Sequence, residues 1–111
     1  MWGIDPNKLC SQHLLGEHVE MHMFLGCIKK GISLKGYYEN KLVCTNLIKK
    51  RHDDLSTEMI FRGMNHNSPI VEMDFFKDFK YGEIDLEANI NELMSRCPKC
   101  RDRLVSSAVK I

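Results

Sequence analysis

The sequence predicts a mostly α, small single-domain protein with two long helices, a C-terminal helical segment and little or no sheet. Three observations favour this fold class. The length of 111 residues suits one modest core. Apolar residues recur at helical spacing in two long stretches, with capping residues and glycines at their ends. The composition, 43% hydrophobic and 28% charged, is that of a globular protein, so residues 1–111 are interpreted as one domain.

The first long helix is predicted to begin at Asp5-Pro6 and to end at the two lysines before Gly31. Aspartate can cap a helix and proline fits its first turn, whereas cations followed by glycine are typical of a helix end. A short break around Cys10-Ser11 is compatible with the pattern. The apolar residues form one main face and a second stripe: Leu9, Leu14, Met21, Leu25 and Ile28 on the face, Val19 and Met23 on the stripe.

Residues 31–44 are predicted to form a loop with a short turn, because they contain two glycines and two adjacent tyrosines. Tyr37 and Tyr38 stand close to Lys35 and Lys41. They can stack on nucleic-acid bases or line a groove. Alternatively, a tyrosine fills the core and points its hydroxyl outward, which is the interpretation we favour for at least one of them.

The second long helix is predicted from Thr45, a plausible N-cap, to Arg62, with Gly63 as its stop. Within it, Arg51 can reach either a phosphate or an acidic partner on the first helix. Its apolar faces are supplied by Leu47, Ile48, Leu55, Met59, Ile60 and Phe61.

The rest of the chain, from residue 64 onward, is predicted to close the core and to end in helices. A polar turn around residues 65–69 precedes an apolar segment, residues 70–79, which we expect to wrap the helices as irregular chain. Asp85 can cap a third helix from Leu86 to about Arg96, and Pro98 either breaks it or starts a final helix over residues 99–109. The inward residues of the third helix are Leu86, Ile90, Leu93 and Met94.

Charge is distributed unevenly along the chain although the net charge is only +1. Residues 29–62 carry eight basic and four acidic residues, hence +4, and residues 97–111 carry four and one, hence +3. If these segments meet, they provide the basic face that a nucleic-acid-binding protein needs. The candidate phosphate contacts are Lys49, Lys50, Arg51, Arg101 and Arg103.

The sequence also favours a cytoplasmic protein. It has no apolar run long enough to span a bilayer, and its N-terminus does not resemble a signal peptide. Five cysteines without a secretion signal indicate reduced thiols.

Polar chemistry is concentrated in residues 12–22, which hold three histidines and two glutamates. On a helix, His13, Glu17 and Glu20 fall within about 60° of one another, and His18 and His22 point to roughly the opposite side. A carboxylate on an enclosed helix can orient water, stabilise a cation or move a proton. No serine or cysteine forms a recognisable nucleophile motif, but an α-amine is partly neutral and nucleophilic near neutral pH.

Two groups of residues raise the question of a metal, and no metal site or cofactor is predicted from either. Cys97 and Cys100 form a single CxxC, whereas structural zinc needs four ligands, so ordinary thiols near a helix junction are favoured over zinc completed by an isolated cysteine. His18 and His22 do not fit the zinc-protease pattern. A metal-dependent nuclease that uses them with His52 or Asp53 remains an alternative.

Two motifs resemble the pyrimidine-dimer DNA glycosylase family. The first is Gln12-His13-Leu14-x-x-Glu17-x-x-Glu20. The second is Leu47-x-x-Lys50-Arg51-x-x-x-Leu55-x-x-Glu58-x-x-x-Arg62-Gly63. The wider stretches DPNKLCSQHLLGEHVEMH and KKRHDDLSTEMIFRG look similar to short bacterial and archaeal members. The resemblance covers about residues 1–68. The motif match is specific in the first helix and moderate in the second.

The resemblance implies a small helical enzyme that excises a base from DNA and cleaves the abasic strand. It implies that the Met1 α-amine forms a Schiff base with deoxyribose C1′, that Glu20 stabilises this cation, and that His13 is its neighbour. The expected partner is damaged or abasic double-stranded DNA, bound by a monomer without a cofactor. The residues expected to contact DNA are His18, His22, Lys49, Lys50, Arg51 and Tyr37.

The chain also departs from the family pattern. The family's phage archetype exposes a threonine amine after loss of its initiator methionine, whereas Trp2 is bulky, so we expect Met1 to be retained. The archetype's phosphate-gripping arginines correspond here to Val19 and Met23, which His18 and His22 partly replace. Its aromatic C-terminal tail has no match in residues 97–111. A member of the fold that binds DNA without catalysis is therefore the alternative to an enzyme.

Overall fold

The computed structural model describes residues 1–65 and 82–109, with side chains up to residue 105. These residues form five α-helices and two 3₁₀ helices, and they contain no strand beyond an isolated antiparallel bridge between Leu42 and Ile84. The mostly α fold class is thereby confirmed. The polar turn and the apolar segment predicted over residues 65–79 lie, beyond Asn65, outside the described residues. The α-helices are α1 (Ser11–Lys30), α2 (Lys35–Glu39), α3 (Ile48–Phe61), α4 (Leu86–Arg96) and α5 (Pro98–Val109).

Helix α1 begins after the predicted break. Asp5 caps a 3₁₀ helix, Pro6–Lys8, by accepting a 3.1 Å hydrogen bond from the Asn7 backbone N–H. The chain is then extended at Cys10, whose Sγ caps α1 by accepting from the His13 backbone N–H. Gly31 ends the helix with a φ of 70°, a left-handed conformation that favours glycine. Both predicted ends of the first long helical segment are therefore confirmed.

The main apolar face of the first helical segment is confirmed, and its second stripe is not. Val19 is 58% exposed and Met23 is only partly buried, so the stripe they form is not covered as the core face is. Phe24, which the prediction did not include, is fully buried beside that face. The predicted face is buried throughout: Leu9, Leu14, Met21, Leu25 and Ile28.

Helix α3 packs against the apolar face of α1. The prediction that Thr45 caps this helix is wrong. Thr45 begins a 3₁₀ helix, Thr45–Leu47, which runs directly into α3. Gly63 follows the helix at a φ of 77°, as its predicted stop requires. Only some residues of the predicted apolar faces are buried, because the helical rotation turns the others away from the side that faces α1. Ile48, Leu55 and Met59 are buried, whereas Leu47, Ile60 and Phe61 are 42%, 62% and 84% exposed.

The end of α3 is tied to the start of the chain through Arg62. Its Nη2 donates to the Leu9 carbonyl at 2.7 Å and to the Pro6 carbonyl at 3.2 Å. Its Nε donates to Glu58 Oε2 at 2.8 Å, one helical turn back. Because these carbonyls belong to the segment that leads into α1, the hydrogen bonds from Arg62 tie the start of α1 to the end of α3.

Helices α4 and α5 pack on the N-terminal segment. Asp85 caps α4 by accepting a 3.0 Å hydrogen bond from the Ala88 N–H, as predicted. Of the residues predicted to face inward from α4, Leu93 is fully buried, whereas Leu86 is 46% exposed. Arg103 of α5 donates to the Asn7 carbonyl at 2.6 Å. The C-terminal helices therefore cover the first ten residues rather than extend the α1–α3 pair.

In residues 1–65 and 82–109, no helix is both long enough and apolar enough to cross a membrane.

Candidate active site at the N-terminal amine

The Met1 α-amine lies inside the fold and is held by two acceptors. It forms a short ion pair with the Glu20 carboxylate and donates to the Leu42 carbonyl at 2.9 Å. The Met1 side chain is almost completely buried, whereas the Glu20 side chain remains 31% exposed. The amine is thus fixed in position, and the carboxylate beside it still reaches solvent.

Three elements place the chain terminus at Glu20. Glu20 stands at the middle of α1, and the Leu42 carbonyl comes from the loop before α3. From α4, the Asn89 side-chain amide donates to the Trp2 carbonyl at 2.8 Å and to the Met1 carbonyl at 3.3 Å. Since Asn89 is itself buried, these bonds hold the first two residues against α4.

A cavity of about 470 Å³ opens beside the amine and Glu20. Its volume is within the range, roughly 300–1,000 Å³, of pockets that hold small ligands. Lys41 and Arg96 bring two cations to it, and the Arg96 guanidinium lies 4.9 Å from the centre of the Trp2 ring. Other lining residues include Tyr37, Asn40, Asp85, Ala88 and Glu92.

The loop that closes one side of this cavity has an unusual backbone. Lys41 adopts a φ of 56°, which is uncommon for a residue other than glycine. The next residue, Leu42, provides the carbonyl that accepts from the Met1 amine. Uncommon backbone conformations of this kind occur preferentially at functional sites, where the surrounding structure holds them in place.

Tyr37 lines the cavity and also contacts the core. Its ring meets the buried Phe24 ring edge-on, with 4.9 Å between the centres. Tyr37 therefore packs on the core and also lines the cavity.

His13, predicted to be the neighbour of Glu20, contacts other groups. Its Nδ1 lies 3.2 Å from Cys10 Sγ and 3.5 Å from Cys100 Sγ. It is not among the residues that line the cavity at Glu20. Burial, and to a lesser extent the charge of Arg96, lowers the pKa of His13.

The four residues Cys10, His13, Cys97 and Cys100 form a compact cluster, here called the Cys–His cluster. Their donor atoms all lie within 4.8 Å of one another. A hydrogen bond from the Cys100 backbone lowers the pKa of Cys97, whereas burial raises the pKa of Cys100 to about 12. The sequence contains the signal for this cluster, since Cys10-x-x-His13 repeats the spacing of Cys97-x-x-Cys100, but only the fold brings the two pairs together.

His18 and His22, which we predicted to contact DNA, lie at the interface between α1 and α3. With His52 they form a group whose ring centres are 4.7 to 4.9 Å apart. His18 Nε2 lies 3.1 Å from His52 Nε2, and His52 Nδ1 lies 2.9 Å from Asp53 Oδ1. His18 is 6% exposed and His52 is 1% exposed, so the group is largely enclosed.

Arg51 pairs with the first helix, which is one of the two alternatives that the sequence left open. Its Nε and Nη2 donate to the two Glu17 carboxylate oxygens at 2.5 and 2.8 Å. Both side chains are buried. The two parallel hydrogen bonds satisfy the Arg51 guanidinium inside the protein.

The two lysines predicted to contact phosphates lie on the outer side of α3. Lys49 donates to Asp53 at 2.6 Å, and Lys50 donates to Asp54 at 2.7 Å. Lys50 is the more exposed of the two, at 72% of its side chain. Exposed pairs at this spacing are weak, so either lysine can exchange its partner for a phosphate at little cost.

A family model described as pyrimidine dimer DNA glycosylase matches residues 1–72. The match includes α1 with Glu20, the Leu42 loop and the whole of α3, and it ends before α4 and α5. Searches of curated proteins and of solved structures each gave no significant match.

Proposed function

Because the chain belongs to the pyrimidine dimer DNA glycosylase family, we propose that it excises a damaged base from double-stranded DNA and cleaves the abasic strand that remains. In this proposal the Met1 α-amine is the nucleophile and Glu20 is the catalytic carboxylate. The observation that carries the proposal is the ion pair between these two groups at the edge of a cavity. An α-amine beside a carboxylate that can take its proton is the arrangement that catalysis by an amine nucleophile uses.

The first chemical step forms a Schiff base. The amine attacks only after it loses a proton, for which the Glu20 carboxylate is the adjacent acceptor. The bond from nitrogen to deoxyribose C1′ forms, the glycosidic bond breaks, and the base leaves with a proton. At a site that is already abasic, water leaves instead. The C1′–O4′ bond of the sugar ring then breaks as the nitrogen lone pair forms the C1′=N bond, and O4′ takes the proton that Glu20 received from the amine. The carboxylate then lies beside a cationic iminium, whose charge it stabilises.

The second step breaks the strand. Removal of a proton from C2′ allows the C3′–O bond to break, and the 3′ phosphate leaves. Water then hydrolyses the imine and frees the Met1 amine. In this proposal Glu20 takes the C2′ proton, and the 31% exposure of its side chain, which leaves room for a sugar beside it, supports that role.

Retention of Met1 is part of this proposal. The Met1 side chain belongs to the hydrophobic core and is 1% exposed. Loss of a buried methionine side chain costs about 2–5 kcal/mol in proteins. Removal of Met1 would therefore destabilise the fold as well as withdraw the amine from Glu20.

DNA is expected to approach the face that carries the cavity. Lys41 and Arg96 stand at the cavity and are suited to the phosphates that flank the reacting sugar. Tyr37 offers a ring on which a base can stack. The volume of about 470 Å³ is compatible with a nucleotide that has left the helical stack.

The decisive experiment is borohydride trapping on a duplex with one abasic site. Borohydride reduces the iminium to a stable amine, so the protein and DNA migrate together on a denaturing gel. We expect trapping by the wild type, and a decrease in strand cleavage of roughly 10²–10⁴-fold in Glu20→Gln, the range that an acid–base group contributes. Glu87→Gln, an exposed glutamate of α4 outside the cavity, is the matched control.

The outcome distinguishes the alternatives. Absence of trapping, together with equal behaviour of Glu20→Gln and wild type, would reject the Schiff-base enzyme. If the protein still binds DNA with a steep salt dependence, it is a binding module of the same fold. A dimer-containing duplex run in parallel tests the base-excision step separately from strand cleavage.

The metal-dependent nuclease receives less support. His18 and His52 are nearly inaccessible to solvent, whereas a catalytic metal needs an open position for water and substrate. His22→Gln should therefore leave cleavage of an abasic strand unchanged. If this variant abolishes cleavage while its fold is intact, the histidine group carries the reaction.

A further inference from the structure

We propose that Cys10, His13, Cys97 and Cys100 bind one zinc ion in a closed, four-coordinate structural site. The four residues provide three sulfur donors and one imidazole nitrogen, which is one of the common ligand sets of structural zinc. The proposal does not depend on the reaction at Met1.

Three donor–donor distances within the Cys–His cluster lie close to the edges of a tetrahedron around zinc. Zinc–sulfur bonds of about 2.3 Å and zinc–nitrogen bonds of about 2.0–2.1 Å place two sulfurs about 3.8 Å apart and a sulfur and a nitrogen about 3.6 Å apart. Cys10 Sγ lies 3.9 Å from Cys97 Sγ. His13 Nδ1 lies 3.2 Å from Cys10 Sγ and 3.5 Å from Cys100 Sγ. Since all four donor atoms lie within 4.8 Å of one another, one ion can be reached by all of them.

These distances do not fit a disulfide. A sulfur–sulfur bond is about 2.05 Å long, well below the 3.9 Å between Cys10 and Cys97, and all five cysteines are free. Simple burial of thiols does not explain the cluster either. Thiols that merely fill space have no reason to gather around one imidazole nitrogen, which here has Cys10 Sγ and Cys100 Sγ within 3.5 Å and Cys97 Sγ in the same group.

Backbone N–H groups point at all three sulfurs. The Cys10 N–H donates to Cys100 Sγ at 3.3 Å, the Cys100 N–H donates to Cys97 Sγ at 3.4 Å, and the His13 N–H donates to Cys10 Sγ at 3.5 Å. Such bonds stabilise negative charge on sulfur. They are the outer hydrogen bonds that orient and tune metal ligands, and they are independent of the distances among the donors.

The placement of the ligands explains what the ion does. Cys10 and His13 stand at the start of α1, and Cys97 and Cys100 stand at the junction of α4 and α5. The ion thus crosslinks positions about 90 residues apart in sequence and fixes α4 on the N-terminal segment. Since Asn89 of α4 holds Met1 and Trp2, the ion stabilises the position of the chain terminus without contacting it.

The test begins with the full chain purified under reducing conditions from zinc-replete medium. We expect one equivalent of zinc per chain by elemental analysis. With Co²⁺ in place of zinc, we expect the d–d bands of a tetrahedral ion and a thiolate-to-cobalt charge-transfer band in the near ultraviolet. Cys97→Ser should weaken zinc binding beyond the roughly 10–100-fold that loss of an outer hydrogen-bond partner costs.

Two control variants locate the site. Cys44→Ser changes a thiol outside the cluster, which donates to Asn46 Oδ1 at 2.9 Å, and should keep the full equivalent of metal. His22→Gln changes the other histidine group and should also keep it. The proposal is overturned if the wild type contains no zinc, if Cys97→Ser retains wild-type affinity, or if His22→Gln rather than Cys97→Ser loses the metal. Because the cobalt spectrum is recorded on the wild type, it is informative even if Cys97→Ser does not fold, and a spectrum without the thiolate band overturns the proposal.

Discussion

One glycine added before Met1 should disconnect the amine from its catalytic partner. An extended residue spans about 3.3–3.6 Å, so the new α-amine would lie about that far from its present position. The chain cannot slide back to compensate, because the Met1 side chain is buried in the core and Asn89 holds the first two carbonyls. The former amine becomes an amide, which is not nucleophilic.

The size of the effect follows from this displacement. A misplacement of about 1 Å can reduce a rate by about 10²-fold, and the displacement here is about three times as large. We therefore expect strand cleavage and borohydride trapping on abasic DNA to decrease by at least about 10²-fold. DNA affinity should change little, since the amine is directed at Glu20 and Leu42 rather than at the surface.

The assay compares three proteins released from the same fusion partner. They are the native chain, the chain with glycine before Met1, and the chain with glycine after Ile111. Trapping is scored on a denaturing gel, and affinity is measured by fluorescence anisotropy. If the N-terminally extended chain traps at the native rate, the reasoning is wrong and another amine reacts. Lys41, which lines the same cavity, is then the candidate, and Lys41→Gln identifies it.

Three further predictions concern stability and its pH dependence. Glu17→Gln should lower the free energy of unfolding by about 3–5 kcal/mol, because it leaves the Arg51 guanidinium buried without its charge partner, and urea denaturation measures this. Leu14→Ala should cost about 2–5 kcal/mol, whereas Phe61→Ala, at a side chain 84% exposed, should change stability by no more than about 0.5 kcal/mol; equal effects would contradict the assigned core. Burial works against ionisation of Asp53, but side-chain hydrogen bonds outweigh it and hold its pKa below the ordinary value of 3.8. The stability that ionised Asp53 contributes is therefore complete above that value and is lost as pH falls through the lower folded-state pKa, so the difference between wild type and Asp53→Asn should disappear in acid.

The helix boundaries were predictable wherever a local signal sets them. Asp85 caps α4 and Gly31 ends α1 because a side-chain acceptor and a left-handed glycine act within one turn of the residue concerned. Thr45 misled the prediction. Threonine is a common N-cap, but here the chain forms a 3₁₀ turn first, and α3 begins at the buried Ile48. Phe61 was misassigned for a related reason, since apolar character alone does not tell which side of a helix meets a partner.

The candidate site was only partly predictable. Glu20 and the chain terminus could be paired from the resemblance and from the absence of another nucleophile. Lys41, Arg96 and Asn89 carried no signal, because they come from a loop and from a helix that lies beyond the residues matched by the family model. Sequence spacing cannot tell which distant segments cover a site.

His13, Glu17 and Glu20 show why the helical projection succeeded in one respect and failed in another. A projection down the helix axis places the three residues on one side of α1, and the structure agrees. The projection does not show how far apart they lie along the axis. His13 and Glu20 are seven residues apart, hence about 10 Å along the axis. At each level a different element meets the stripe: the α4–α5 junction at His13, α3 through Arg51 at Glu17, and the chain terminus at Glu20. One stripe of α1 therefore fixes three separate parts of the protein.

Because the three residues contact different elements, substitution of each should change a different measurable property of the protein. Glu17 is buried in an ion pair and should act on stability alone, whereas Glu20 is partly exposed at the cavity and should act on catalysis. His13 should act on metal content and, through α4, on the position of the terminus. The proposed chemistry at Met1 thus depends on a folded frame in which neither Glu17 nor His13 is expected to touch the substrate. Variants of these two residues that fold normally should keep the pH dependence of cleavage, and a Glu20 variant should change it.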